Sequence, residues 1–336
     1  MVKKTLKILG LAFLLFLLFY LFYDGGKNYA ETKIATGHGP EDLALDISEP
    51  SSPRIFISCS KRKGDNPYGK IQSYDVKSGV VTDMQLIDYD QSNLRPHGIF
   101  LLDQDSIQFL YVISHENGGE NEIIDKIIKF QVEREALLFT GQVWDSREYD
   151  LFDATNDLHV LDDGTIYCTN PTSKVDPSGV PAKVVVIYPD RRSAVAAQGL
   201  KYPNGVYVDQ NMLYVATAQG NNLYKYKLKA DGTADESSKA IVAEIPGGDN
   251  IIRSGDDLLI AHHPSVYKFM FHNWFGLKSP SAVTSVNINT EDAKIIYGPS
   301  AKDISASSTG LIHDSHLYIA QVFEPYIIKV PLSELN

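Results

Sequence analysis

Five short motifs place oxygen and imidazole side chains at regular intervals along the chain. They are Gly-Pro-Glu-Asp (Glu41, Asp42), Pro-His-Gly-Ile (His97), Thr-Asn-Asp-Leu (Asn156, Asp157), Pro-Asn-Gly-Val (Asn204) and Gly-Asp-Asn-Ile (Asp249, Asn250). Successive motifs lie roughly 45–60 residues apart, and each opens an apolar, alternating run of the kind that forms a strand. Alone, any of these residues reads as a turn or strand cap. Five at one phase of a repeat read as a ring of side chains gathered on an axis. Glu41 and Asp249 supply two negative charges, and Asn156, Asn204 and Asn250 supply neutral carbonyl oxygens. Hard oxygen donors at flexible angles suit calcium, whereas zinc prefers His or Cys. A polar channel without an ion is the plainer alternative.

The histidines add a second chemistry. His97 begins the first strand of the second repeat, and His115, in Val-Ile-Ser-His-Glu, ends its second strand. Antiparallel pairing brings those two ends together, so one imidazole can act as base while the other fixes its tautomer. Asp249 competes for the role of base. His263, in Ala-His-His-Pro, falls near the same channel end and reads as a pocket residue. Neither a Gly-x-Ser-x-Gly elbow nor a His-Glu-x-x-His pair occurs, which leaves a serine hydrolase or zinc protease without support.

The elements that must position these groups repeat six times. Each copy has a short strand, a turn carrying Asp, Gly or Asn, a second strand, and a third strand rich in Tyr and Lys. Examples are Arg54-Ile-Phe-Ile-Ser, Phe109-Leu-Tyr-Val-Ile-Ser and Met212-Leu-Tyr-Val-Ala-Thr. Three or four strands per copy at this period mean propeller blades. The fold class is all-β: one six-bladed β-propeller over residues 31–336, preceded by an N-terminal hydrophobic helix. The stretch Lys268 to Leu277 fits neither strand position of its blade and reads as a filled corner, with a surface helix or loop as the alternative.

The 336 residues are 43% hydrophobic and 10% aromatic, enough to build a core without a disulfide. A net charge of −11 argues against nucleic acid as a partner. Cys59 and Cys168 read as small buried strand residues. Lys3, Lys4 and Lys7 precede an uncharged run from Ile8 to Tyr23, with no small-x-small cleavage site after it. Residues 1–26 therefore read as an uncleaved signal anchor rather than a cleaved signal peptide, with the domain outside the cytoplasm and the membrane a partner through this helix.

At these motifs the chain resembles the paraoxonase/arylesterase family of calcium-dependent lactonases, from about Gly39 to the C-terminus. The resemblance implies a six-bladed propeller with two calcium ions in its tunnel. It places the catalytic calcium on Glu41, Asn156, Asn204, Asp249 and Asn250, and a buried structural calcium on Asp42, Asp157 and the backbone carbonyl of Ile99. It places a His dyad on His97 and His115 and a pocket histidine on His263. The substrates it implies are small lactones and aryl esters, with the metal polarising the carbonyl and His115 helping His97 deprotonate water. The chain departs from the vertebrate members in two ways. Neither cysteine is placed to tie the domain's ends, so strand pairing alone must close the ring. The stretch from Asn170 to Pro181 is short and polar where those members carry an amphipathic helix. Two alternatives remain: a non-catalytic interaction platform with structural calcium, and a gluconolactonase-like sugar lactonase.

Overall fold

The computed structural model describes residues 5, 9–16, 26–61, 68–119, 122–148, 154–171, 182–300 and 303–335. Six antiparallel sheets follow one another around the ring, as the repeat predicts. In the first blade the strands Pro40–Asp46, Arg54–Ser60, Gly69–Asp75 and Val81–Asp83 run outward in chain order. The inner strands of the other blades are Pro96–Gln104, Leu158–Val160, Pro203–Asp209, Gly248–Ser254 and Ser307–His313. The second blade gains a fifth, parallel strand, Gln85–Ile87, on its outer edge.

Strand pairing closes the ring. The N-terminal strand Thr32–Ala35 becomes the outermost strand of the sixth blade, pairing antiparallel with Tyr326–Pro331 in the register Ile34 to Ile327. Six clusters of buried Val, Ile, Leu and Tyr fill the spaces between sheets. In every blade but the second, the second strand is buried along all of its length or all but its first residue, because it lies between two strands and two neighbouring sheets. Arg54–Ser60, for example, is buried at every position after its first.

Cys59 and Cys168 are free thiols on such buried strands, matching the sequence reading. Burial pushes the Cys59 thiol up to about 12, well outside the range where it reacts. Residues 9–16 are helical and exposed. Among the described residues, no helix is long and apolar enough to cross a membrane. Most of residues 1–26, and nearly all of the stretch from Asn170 to Pro181, lie outside the described residues.

One expectation is corrected. The stretch read as a filled corner is an α-helix, Val266–Phe275, inserted between the second and third strands of the fifth blade. Ser265 caps its N-terminus, its side chain accepting from the Lys268 amide, and Gly276 ends it at φ 67°.

Candidate functional site

Five of the six inner strands enter the channel through an irregularity. Register shifts occur between Pro40 and Asp42, Pro96 and Ile99, Pro203 and Val206, Gly248 and Ile251, and Ser307 and Gly310. A bulge of this kind re-aims side chains that a regular strand would turn to alternate faces. The residues inside these bulges are Glu41, His97, Asn204, Asp249 with Asn250, and Ser308 with Thr309. In the third blade Asn156 and Asp157 stand just before the strand, held by Asn156 N donating to Thr169 O and Thr169 N donating to Asp157 O. Glycine follows the polar residue where blades crowd. A Cβ on Gly98 would lie 2.7 Å from the Asn156 carbonyl oxygen, and one on Gly205 would lie 2.4 Å from that of Asp249.

The oxygen donors are buried. Glu41, Asn156, Asn204, Asp249 and Asn250 are all at most 8% exposed. The amide oxygens of Asn156, Asn204 and Asn250 accept no hydrogen bond, although an unsatisfied buried oxygen costs about 1–3 kcal/mol. Three such oxygens beside two carboxylates fit a hard dication, whose charge the carboxylates balance. Among the described residues no cluster of three or more His, Cys, Asp or Glu forms. A set dominated by amide oxygens does not require one.

Deeper on the axis stand Asp42 and Asp157. Asp42 accepts from the amides of Leu43 and Ile99 (2.8 and 2.7 Å), and Asp157 from those of Leu158 and Val206 (2.8 and 2.9 Å). The link from Asp42 to Ile99 runs through the Ile99 amide rather than its carbonyl. Burial raises both carboxyls, that of Asp42 to about 6, and each like charge adds to the effect on Asp157. Two buried carboxylates held this way suit a shared cation.

The sixth blade contributes a group that the sequence motifs did not single out. Thr309 Oγ1 lies within donating reach of Glu41 O and Asp42 Oδ1 and accepts from Asn250 Nδ2. It therefore ties the first and fifth blades together. Its position at the start of Thr-Gly-Leu-Ile-His, in phase with the other motifs, was the available signal.

The two histidines of the second blade meet as expected. His115 Nε2 is 2.9 Å from His97 Nδ1, and His97 Nε2 is 3.1 Å from Glu41 Oε1. Asp125, also absent from the sequence reading, lies 2.7 Å from His115 Nδ1. His263 stands apart from this pair. Its Nε2 is 3.0 Å from Asp249 Oδ2, and its ring stacks on Phe269 at 4.4 Å. Phe269 belongs to the inserted helix, whose His272 pairs with Glu324 at 2.9 Å, so that helix roofs one side of the site. Past Asp42 and Asp157 the channel continues as a cavity of 240 Å³ lined by Phe100, His159, Tyr207 and Arg253 among others. Burial lowers the His159 imidazole to about 3, which keeps it neutral.

This geometry has counterparts among known proteins. The chain is 23% identical over 307 residues to serum paraoxonase/arylesterase 1 of Mus musculus, covering 85% of this chain and 84% of the relative. It is 25% identical over 295 residues to serum paraoxonase/lactonase 3 of the same species, covering 82% and 76%. The solved structure of regucalcin, a calcium-binding protein of Agrobacterium tumefaciens, shares the fold with a TM-score of 0.55 at 12% identity, covering 88% of this chain and 93% of that one. The arylesterase family profile matches residues 66–327, and the chain belongs to that family.

Proposed function

We propose that this protein is a calcium-dependent hydrolase of lactones and aryl esters, working at the channel end bounded by Glu41, Asn156, Asn204, Asp249 and Asn250. Membership of the arylesterase family supports a lactone or ester hydrolase in general. The observation that carries the finer reading is the set of three buried amide oxygens without donors beside two buried carboxylates and a histidine pair. A calcium ion held there would polarise the substrate carbonyl and balance the oxyanion. A second ion would be held by Asp42 and Asp157.

The remaining steps belong to the chain's own side chains. His97 Nε2 faces the oxygen donors and takes the proton from the attacking water. His115, behind it, spreads the resulting positive charge. His263 holds Asp249 in place through its Nε2, so this carboxylate is less free to serve as the base. Phe269 and Phe323 form an apolar wall that limits water around the acyl group. We further propose that residues 1–26 anchor the domain outside the cytoplasm, on the strength of the uncharged run and its preceding lysines.

The test is hydrolysis of a lactone series and of phenyl acetate, with and without chelator, for the parent and His97→Gln. Activity that chelator abolishes, calcium restores and His97→Gln lowers about 10²–10⁴-fold supports the reading. Full activity in excess chelator overturns it.

A further inference from the structure

The far mouth of the channel is apolar where the opposite end is polar. Past Asp42 and Asp157, the 240 Å³ cavity takes a leucine, isoleucine or valine from every blade. Leu45, Phe100, Leu101, Tyr207, Ile252 and Ile312 stand at its rim, each partly exposed. Protein interiors leave few voids larger than a water molecule. Concave sites lined by apolar side chains and a few polar groups are where small molecules bind.

His159 supplies the polar group. It is 7% exposed and stands in the wall between Phe100 and Tyr207, whose rings meet its own edge-on at 4.7 and 4.5 Å. Among the described residues its ring nitrogens have no hydrogen-bond partner. In either tautomer one of them carries a proton, and a buried donor without an acceptor is costly. Arg253 is the one cation among the described lining residues, and it is already engaged. Its guanidinium lies 3.4 Å from Asp209 Oδ2 and 3.7 Å from Asp256 Oδ1, and it donates to the Gly255 carbonyl. An anion entering here would meet no free positive charge and would face Asp42 and Asp157.

We propose that the far mouth binds a small neutral molecule, one apolar ring bearing an oxygen that accepts from His159. The size follows from the volume: a cavity of about 150 Å³ holds benzene, so 240 Å³ leaves room for one short substituent. The ring packs on the aliphatic lining, and the oxygen satisfies the imidazole. Binding at this mouth needs neither turnover nor the histidine pair at the Glu41 end.

Benzyl alcohol has these features and no ester bond, toluene lacks the oxygen, and benzoate adds a charge. The experiment titrates all three into the full-length parent, Ile312→Trp, His159→Phe and His97→Gln. Isoleucine methyl spectra locate each ligand, because Ile99 and Ile251 line the cavity. We expect benzyl alcohol to shift these methyls in the parent and in His97→Gln, and not in Ile312→Trp, where the indole fills the mouth. His159→Phe keeps a ring in the wall and should weaken benzyl alcohol about 2–10-fold while leaving toluene unchanged. Benzoate should not bind. Absence of shifts with benzyl alcohol means that the cavity holds water only and overturns the proposal. Binding that survives Ile312→Trp overturns it as well, and its loss in His97→Gln would place the ligand at the Glu41 end. Benzoate bound as tightly as benzyl alcohol overturns the neutral class, and equal affinity in parent and His159→Phe overturns the role of His159. Should Ile312→Trp not fold, Leu45→Trp fills the same mouth from the first blade. Should His159→Phe not fold, the parent decides: toluene bound more tightly than benzyl alcohol means that the oxygen finds no partner.

Discussion

Asn204 and Asp157, two proposed oxygen ligands on neighbouring blades, carry different structural loads. Asn204 Oδ1 accepts no hydrogen bond from the protein, so its loss disturbs little of the surrounding structure. Asp157 accepts the Leu158 and Val206 amides in a fully buried position and ties the third blade to the fourth. Asn204→Ala is therefore expected to melt close to the parent in calcium while turnover falls steeply, because placement of the electrophile is lost. Asp157→Ala is expected to lose about 3–5 kcal/mol, since a buried charged partner is removed and two amides are orphaned. Melting curves beside lactonase turnover decide between them, and a stable Asp157→Ala with an unfolded Asn204→Ala would reverse the two assignments. The gathering of the buried oxygen donors and of the two histidines was legible in the sequence because each opens or ends a strand at a fixed phase. Asp125 was not, because its contact with His115 comes from strand register, and Asp-Lys-Ile-Ile reads as an ordinary exposed strand start. Ser308 and Thr309 were missed for a related reason: hydroxyls do not announce themselves as part of an oxygen ring.

At the scale of elements, inner strands were the most legible and outer ones the least. Buried second strands are continuous apolar runs, whereas outermost strands such as Val81–Asp83 and Ala240–Glu244 are half solvated and short. The helix Val266–Phe275 escaped for another reason. Tyr267, Met270, Phe271 and Trp274 stand at i, i+3, i+4 and i+7, the helical period, but the stripe runs over only ten residues and Phe269 lies off it. Ser265 and Gly276, its cap and its stop, complete that signal. The closing strand carries a prediction through Glu31, just before it. Glu31 Oε1 accepts from Tyr297 Oη at 2.5 Å, and burial raises its carboxyl to about 7. The unfolded chain releases this proton near the ordinary 4.5, so the fold binds it more tightly in between. Stability from this group is complete below pH 4.5 and is lost as pH rises toward 7. Glu31→Gln keeps an acceptor for Tyr297 and removes the titration. It should melt like the parent near the lower limit and above it at about pH 8. A melting difference independent of pH would show that Glu31 does not titrate with folding.

The whole molecule is a ring whose two ends meet in one sheet. Thr32–Ala35 supplies the outermost strand of the sixth blade, and Ile34 is packed into the core between the sixth and first blades. No disulfide spans the joint, since both cysteines are free, so the ladder and the packing of Ile34 carry the closure. A propeller opened at this point would expose the strand Tyr326–Pro331 as an unpaired edge, a template for association with other chains. The proposed ions on the axis would act on the same equilibrium from inside, because the oxygen donors of several blades come together only in the closed ring. A ligand bound by the folded state alone adds RT ln(1 + [L]/Kd) of stability. Two truncations separate these contributions. Removal of residues 1–26 leaves the closing strand whole, and the product should remain folded, with a melting temperature that rises with added calcium. Removal of residues 1–36 deletes the strand, and the product should aggregate or melt far lower, with calcium recovering only part of the loss. Melting in calcium and in chelator, beside sedimentation to detect association, reads both effects. Equal stability of the two truncations would mean that the ring does not depend on its closing strand, and a melting temperature indifferent to chelator in the longer one would remove calcium from the axis.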